Sequence, residues 1–441
     1  MSYELIALLM FSTMMLMLLT GQRVFGAIGF VAVVAALLLW GDKGGYDLGY
    51  GALMKLMKWY PMLTLPMFVF MGYVLSESKI ADDLYRMFHV WMGGVKGGLA
   101  IGTIGLMVLV SAMNGLSVAG MAIGSTIALP ELLKRGYDKK MVTGVIQAGS
   151  SLGILVPPSV VLVLYAMIAR QPVGQLWLAG VGPGLMMAAL FVLYIVIRCH
   201  LNPALGPTLS VEERAQVSRA EKMRLLRAGL LPVGIFAVMM IPFVKGWTSL
   251  VEASAIGAIA AFLAAVLKGR MSWKVFETAT RNTLGISCMF MWIILAALAF
   301  GAVFDGLGAV KAISFLFTDK LGLSPWMILI LMQLSFLVMG SFLDDTAMLV
   351  IVAPLYVPLV GELGFDLVWY GVLYTITCQI AYMTPPFGYN LFLMRAMAPP
   401  EISLKDIYGS IAPFVSVMIL ALIIVMIFPQ IATWLPNYVY R

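Results

Sequence analysis

Apolar runs of the length needed to cross a lipid bilayer recur from one end of the 441-residue chain to the other, and they constrain its fold first. A hydrocarbon core about 30 Å thick asks for about 20 helical residues. Within it every backbone amide needs a protein partner, so irregular backbone survives only where protein or water covers it. The runs lie near 4–19, 24–40, 61–76, 141–168, 175–198, 226–244, 248–268, 279–304, 367–397 and 411–435. An all-α polytopic membrane protein is expected. With 62% apolar and 11% charged residues, the chain is far from soluble domains, in which roughly a quarter of residues are charged. Its three cysteines, Cys199, Cys288 and Cys378, lie in or beside apolar runs and exclude a secreted disulfide scaffold. The net charge of +7 is scattered over loops, which reports topology and leaves no nucleic-acid footprint.

Glu4 precedes the first run and Arg23 follows it, the reverse of a cleavable signal peptide, so this run is expected to stay as a span with residue 1 outside. Two further stretches, 98–133 and 324–360, are interrupted by Asn114, Gly115 and Ser117 and by Ser341, Asp344, Asp345 and Thr346. Arg86 and Lys96 precede the first stretch and Lys134, Arg135, Lys139 and Lys140 follow it. Both its ends therefore read as cytoplasmic, and the stretch enters and returns. The acidic segment 361–366 after the second suits the other side. The connection 199–225 and the Lys268–Lys274 loop are basic and read as cytoplasmic. Tyr50–Tyr60, with Lys55, Lys58 and Trp59, is either a segment lying along the headgroups or the flank of the next span.

Sliding the chain against itself by 228 residues superposes Ala27-Ile28-Gly29 on Ala255-Ile256-Gly257, Pro130 on Pro358 and Pro157-Pro158 on Pro385-Pro386. Gly136 and Asp138 fall on Gly364 and Asp366 in the same register. Each copy has five crossings, a re-entrant hairpin and a Pro-Pro broken helix. An odd number of crossings turns the second copy upside down, and the loop charges invert accordingly. Inverted repeats with broken helices are the architecture of secondary transporters, with the site between copies near mid-membrane.

Paired prolines delete two amide donors and push the preceding residue out of helical geometry. The segments 149–159 and 377–386 must therefore break. Freed carbonyls, among them that of Gly149, with the hydroxyls of Ser150, Ser151, Thr377 and Thr384, form a hard-oxygen set suited to Na⁺; a plain proline kink plugged by neighbouring helices is the alternative. The tips face these breaks. Asn114, Gly115 and Ser117 offer oxygens, a tight turn and a helix N-terminus that favours an anion. Ser341, Asp344, Asp345 and Thr346 occupy the equivalent place, and a carboxylate at the bilayer centre costs roughly 2.5–3.5 kcal/mol. Either a helix cap or cation coordination by Asp345 explains it. Candidate Na⁺ ligands are thus Ser117, Gly149, Ser150, Ser151, Asp345, Thr346, Thr377 and Thr384. Candidate substrate contacts are Asn114, Gly115, Ser117, Ser341, Thr384 and Asn390. Glu252 reads as the end of a capping box begun at Ser249. His89 and His200 lack metal-ligand spacing, and the 34 methionines read as filler.

Asn114-Gly115-Leu116-Ser117-Val118-Ala119, Arg135-Gly136-Tyr137-Asp138, Pro157-Pro158-Ser159, Glu252-Ala253, Gly340–Asp345 and Thr384–Phe392 run over nearly the whole chain. In combination they resemble the large membrane subunit of tripartite ATP-independent periplasmic (TRAP) transporters. The resemblance implies a Na⁺-driven importer of organic acids in a bacterial inner membrane, moving a transport domain against a scaffold like an elevator. It also implies a small four-helix membrane subunit and a periplasmic binding protein. Asn114 and Leu116 depart from the small or hydroxyl residues common there, which leaves Ser117 as the safer ligand. The Phe387–Asn390 run resembles the branch grouped with mannitol and chloroaromatic substrates.

The expected division is repeat 1 over 1–205, a connecting loop over 206–225 and repeat 2 over 226–441. Spans 4–40, 175–198, 226–268 and 411–435 form the scaffold, and 61–168 and 279–399 form the mobile part. Both termini are expected outside. The alternatives are a stand-alone symporter of the divalent-anion type and, remotely, an intramembrane enzyme. Adjacent Asp344 and Asp345 do not face each other as a proton-sharing aspartyl pair must.

Overall fold

The computed structural model describes residues 3–20, 22–40, 47, 51, 54, 57–115, 117–208, 218–315, 320, 322–340, 343, 345–385 and 388–440. At 19, 61, 81–83, 111–114, 118, 119, 228, 313, 314 and 345–347 it describes the backbone alone. These residues are overwhelmingly helical. In chain order the helices are α1 (Tyr3–Leu19), α2 (Val24–Trp40), α3 (Thr64–Glu77), α4 (Ile80–Met92), α5 (Gly98–Asn114), α6 (Ser117–Ile123), α7 (Leu129–Lys134), α8 (Lys139–Ser151), α9 (Val160–Ala169) and α10 (Val173–Leu201). They continue as α11 (Arg219–Val244), α12 (Leu250–Leu267), α13 (Trp273–Gly306), α14 (Ala309–Phe315), α15 (Pro325–Gly340), α16 (Asp345–Glu362), α17 (Leu367–Tyr382), α18 (Tyr389–Met397), α19 (Leu404–Ile427) and α20 (Gln430–Val439). Among the described residues α10, α11, α12, α13 and α19 are long and apolar enough to cross a membrane singly.

Local chemistry sets the helix ends. Asp138 caps α8 by accepting from the Met141 amide at 2.9 Å, and Asp366 caps α17 from the Trp369 amide at 2.8 Å. Each cap satisfies one of the orphan donors of a first turn. Glu252 completes a capping box, accepting from the Ser249 amide while Ser249 Oγ accepts from the Glu252 amide, as its spacing predicts. Both proline segments break: a short 3-10 turn, Leu152–Ile154, ends α8 before α9 begins, and α17 stops at Tyr382 before α18.

Three boundaries differ from expectation. The run 411–435 is two helices, because the chain turns at Phe428 and Pro429 before α20 begins. The amphipathic α4 and the short α14 link longer helices where no run was anticipated; a short helix lying between larger ones carries too few apolar residues to stand out. Of the Tyr50–Tyr60 stretch, Tyr50 and Lys55 lie outside the described residues, and Tyr60 opens a 3-10 turn to Leu63.

Packing divides the helices into two groups. One gathers α2, α3, α4, α11, α12 and α13; the other gathers α5 to α10 with α15 to α20. Contacts of α3, α4 and α11 with α5, the packing of α4 on α5 being the most extensive, and of α13 with α9 and α16, join them. Within the second group small residues let helices close in. A Cβ added at Gly144 of α8 would lie 2.5 Å from Phe414 Cε2 and 2.9 Å from the Ser410 carbonyl of α19. Gly144→Val should push α19 off α8, costing about 1–3 kcal/mol, and is expected to lower the melting temperature of the purified protein. Gly234→Ala, which has open space around it, should not.

Candidate functional site

The first tip rests on the first helix break. α5 ends at Asn114, Gly115 turns the chain with φ +66°, and α6 starts at Ser117. A Cβ at Gly115 would lie 2.3 Å from the Pro158 carbonyl, and the Val160 amide donates to the Gly115 carbonyl at 3.3 Å. Glycine is thus required by backbone conformation and by close approach.

Ser117, buried, donates to Asn390 Oδ1 at 3.2 Å. Asn390 lies in the first turn of α18, just after the second break, and its amide reaches back to the first. Nδ2 donates to the Gln147 carbonyl at 3.4 Å and to Ser150 Oγ at 3.5 Å, and Ser150 Oγ donates to the Gln147 carbonyl at 2.9 Å. The tip, the end of α8 and the start of α18 therefore meet at one buried asparagine. Gln147 extends the junction, since its Nε2 donates to the Thr143 carbonyl at 3.2 Å and to Ser410 Oγ at 3.3 Å. Its Oε1 is buried and has no hydrogen-bond partner among the described residues.

A second junction lies beside it. Gln379 Nε2 of α17 donates to the Ser151 carbonyl at 2.8 Å, while Gln379 Oε1 is buried and unpartnered among the described residues. Ser151 Oγ turns back to the Ala148 carbonyl at 2.7 Å. Trp177 Nε1 donates to the Ser159 carbonyl at 3.2 Å, and the Ser159 hydroxyl donates to the Ile154 carbonyl.

Of the expected residues, Ser117, Ser150 and Asn390 thus come together, with Gly115 packed against the break and Ser151 tied to α17. Thr377 is engaged elsewhere, its hydroxyl lying 2.5 Å from Gln333 Oε1 of α15 and 2.9 Å from the Leu373 carbonyl. Thr384 donates to the Ile380 carbonyl at 2.7 Å. Gly149 faces Met107, which a Cβ would meet at 2.7 Å, so α8 can lie close on α5. Ser341 and Asp344, and the side chains of Asn114, Asp345 and Thr346, lie outside the described residues. The carbonyls of Ser151, Ile154 and Ser159 each accept from a protein donor, as burial in an apolar setting demands. The residues that sequence reasoning missed are the glutamines Gln147, Gln379 and Gln333. Their signal was an amide inside an apolar helix, where it needs a partner. Gln379→Leu leaves the Ser151 carbonyl buried without its donor, a loss of about 1–3 kcal/mol, and thermal melting should register it.

The family described as the tripartite ATP-independent periplasmic transporter, DctM component, matches residues 11–431. The chain is 31% identical over 382 residues to the C4-dicarboxylate TRAP transporter large permease protein DctM of Pseudomonas aeruginosa, covering 86% of this chain and 87% of that one. It is 27% identical over 438 residues to the ectoine TRAP transporter large permease protein TeaC of Halomonas elongata, covering 98% and 99%. Among solved structures it shares its fold with MtrF of Neisseria gonorrhoeae, at a TM-score of 0.63 and 15% identity over 90% of this chain and 85% of that one. The chain therefore belongs to the DctM family: it is the large, multi-pass membrane permease subunit of a bacterial TRAP transporter, and not an enzyme.

Proposed function

We propose that the chain carries a small organic anion, a carboxylate or sulfonate, inward across the bacterial inner membrane, coupled to Na⁺. A periplasmic binding protein would deliver the anion, and a small four-helix membrane subunit would accompany the permease. The observation that carries this reading is the Ser117–Asn390–Ser150 junction, where a tip and two helix breaks converge on neutral oxygens inside an apolar body. A bare anion is prohibitive in hydrocarbon, and a co-bound cation both neutralises it and couples it to a gradient. The donor chemistry fits Na⁺, a hard ion that takes carbonyl, amide and hydroxyl oxygens. The orphaned Gln147 Oε1 and Gln379 Oε1 are buried acceptors of that kind. Ser117, Gly149, Ser150 and Ser151 would hold the ion on the first side, and Asp345, Thr346, Thr377 and Thr384 on the second. Asn114, Gly115, Ser117, Ser341, Thr384 and Asn390 would bound the anion. The dicarboxylate and ectoine named for the relatives each bear a carboxylate, which supports the substrate class.

The mechanism proposed is an elevator built from two inverted repeats. Its support is the register: at the 228-residue offset Ser117 falls on Asp345 and Lys139 on Leu367, each opening a helix, and the caps Asp138 and Asp366 coincide. Ser151 and Gln379, equivalent at this offset, touch each other, as residues near a pseudo-twofold axis do. The packing groups favour a mobile part of 98–201 and 325–439 moving against a scaffold of 24–92 and 219–306. Against the expected division this moves 175–198 and 411–435 from the scaffold into the mobile part, because α10 and α19 pack on α8, α9 and α17, and moves 61–92 and 279–306 from the mobile part into the scaffold, because α3, α4 and α13 pack on α12, α11 and α2. In this reading both termini lie on the periplasmic side, which the loop charges favour.

Proteoliposomes holding the permease and its small subunit, given binding protein loaded with succinate, should accumulate succinate with an inward Na⁺ gradient and not with K⁺. Ser117→Ala should weaken the apparent Na⁺ affinity about tenfold, the loss of one charge-assisted contact. Uptake indifferent to Na⁺ would overturn the coupling.

A further inference from the structure

A cleft of about 530 Å³ opens between the start of α8, the end of α10 and the start of α19. It is lined by Asp138, Lys140, Tyr194, Arg198, Gly409 and Ser410, among others. This volume lies within the range of small-molecule sites. We infer that the cleft is a second binding site, on the cytoplasmic side, for the small carboxylate on its way out of the protein. The inference rests on the import reading above for its sidedness and its ligand class.

Two cations meet one carboxylate in the lining, and the carboxylate is already engaged. Asp138 accepts from the Met141 amide, which leaves the lining itself one positive charge in excess, while Asp406, tied into its capping box with Ser403 at the start of α19, faces Lys140 from outside the lining. Lys139, next in sequence, donates to the Glu401 carbonyl at 2.8 Å and is turned away. Lys140 and Arg198 are exposed and stand on different helices. A carboxylate entering between them exchanges water for charge-assisted hydrogen bonds.

The floor of the cleft connects to the central junction. Ser410 Oγ accepts from Gln147 Nε2 at 3.3 Å, the Gln147 carbonyl accepts from Asn390 Nδ2 at 3.4 Å, and Asn390 Oδ1 accepts from Ser117 Oγ at 3.2 Å. An unbroken buried file of polar groups therefore runs from the hairpin tip to the cleft. Gln147, completely buried with Oε1 unpartnered among the described residues, stands in its middle as an acceptor awaiting a donor.

Charge-selective labelling tests this without knowledge of the natural substrate. In a Cys288→Ser background the remaining Cys199 and Cys378 are buried. Gly409→Cys then adds an exposed thiol whose Cβ would sit 3.3 Å from Lys140 Cε; Leu205→Cys, at a half-buried position of the same lining, is the second reporter should the first fail to fold. In inside-out vesicles a negatively charged methanethiosulfonate should react about tenfold faster than a positively charged one, and Lys140→Gln with Arg198→Gln should abolish the preference. Succinate at millimolar concentration should slow the reaction, and tetramethylammonium should not. Equal rates for the two reagents, or no labelling from either face, would overturn the site while leaving Na⁺-driven import intact. Labelling only from the periplasmic face would overturn the sidedness of both readings. Slowing by phosphatidylglycerol in the vesicles but not by succinate would make a lipid headgroup the occupant and end the proposal. Loss of Na⁺-dependent uptake with the charge preference intact would break the import reading and spare the cleft.

Discussion

A backbone carbonyl without a donor is tolerable in water and costly in hydrocarbon, and this difference governs how the structure is put together. The helices must break at two proline segments, and each break leaves groups that the bilayer will not satisfy. Around the first break the protein seals such groups from elsewhere in the chain. Gln379 reaches the Ser151 carbonyl, the Val160 amide reaches Gly115, Trp177 reaches Ser159, and Asn390 reaches Gln147. None of these donors belongs to the helix whose oxygen it serves. The breaks are therefore properties of the assembled core, and a side chain lost on α17 or α18 is felt at the end of α8.

The same dependence explains the glycines around the junctions. Gly115 brings the tip to the Pro158 carbonyl, and Gly180 of α10 would place a Cβ 2.4 Å from the Leu155 carbonyl. In both places a methyl group would take the space that backbone atoms occupy. Dispersion and close backbone approach, rather than hydrophobic exclusion from water, hold helices together in lipid. Small residues mark where this happens.

Much of the helix order was legible because apolar runs and proline pairs act locally. The breaks after Ser151 and Tyr382, the cap at Ser249 and the turn at Gly115 each follow from a few neighbouring residues. α4 and α14 were not legible, since their faces have meaning only against the helices they join. At the site, Ser117, Ser150 and Asn390 were identified by residue type at a break or tip. Gln147 and Gln379 were not, because an amide in an apolar run declares that it has a partner without naming one. The partner of Gln379 is the residue one full repeat away, a relation that only the folded core displays. The donors to the freed carbonyls were hidden for the same reason: sequence shows which oxygens a proline frees and not which distant donor will reach them.

The bond between Ser117 and Asn390 spans 273 residues. A chain threaded into the bilayer from its first residue must therefore hold the Ser117 hydroxyl in the membrane while most of the remaining protein is still being synthesised. Until α18 emerges, the first hairpin lacks the asparagine that closes its tip. Maturation of this core is thus a late event in biogenesis, and a truncated translation product would present an open polar tip to lipid or to quality-control proteases.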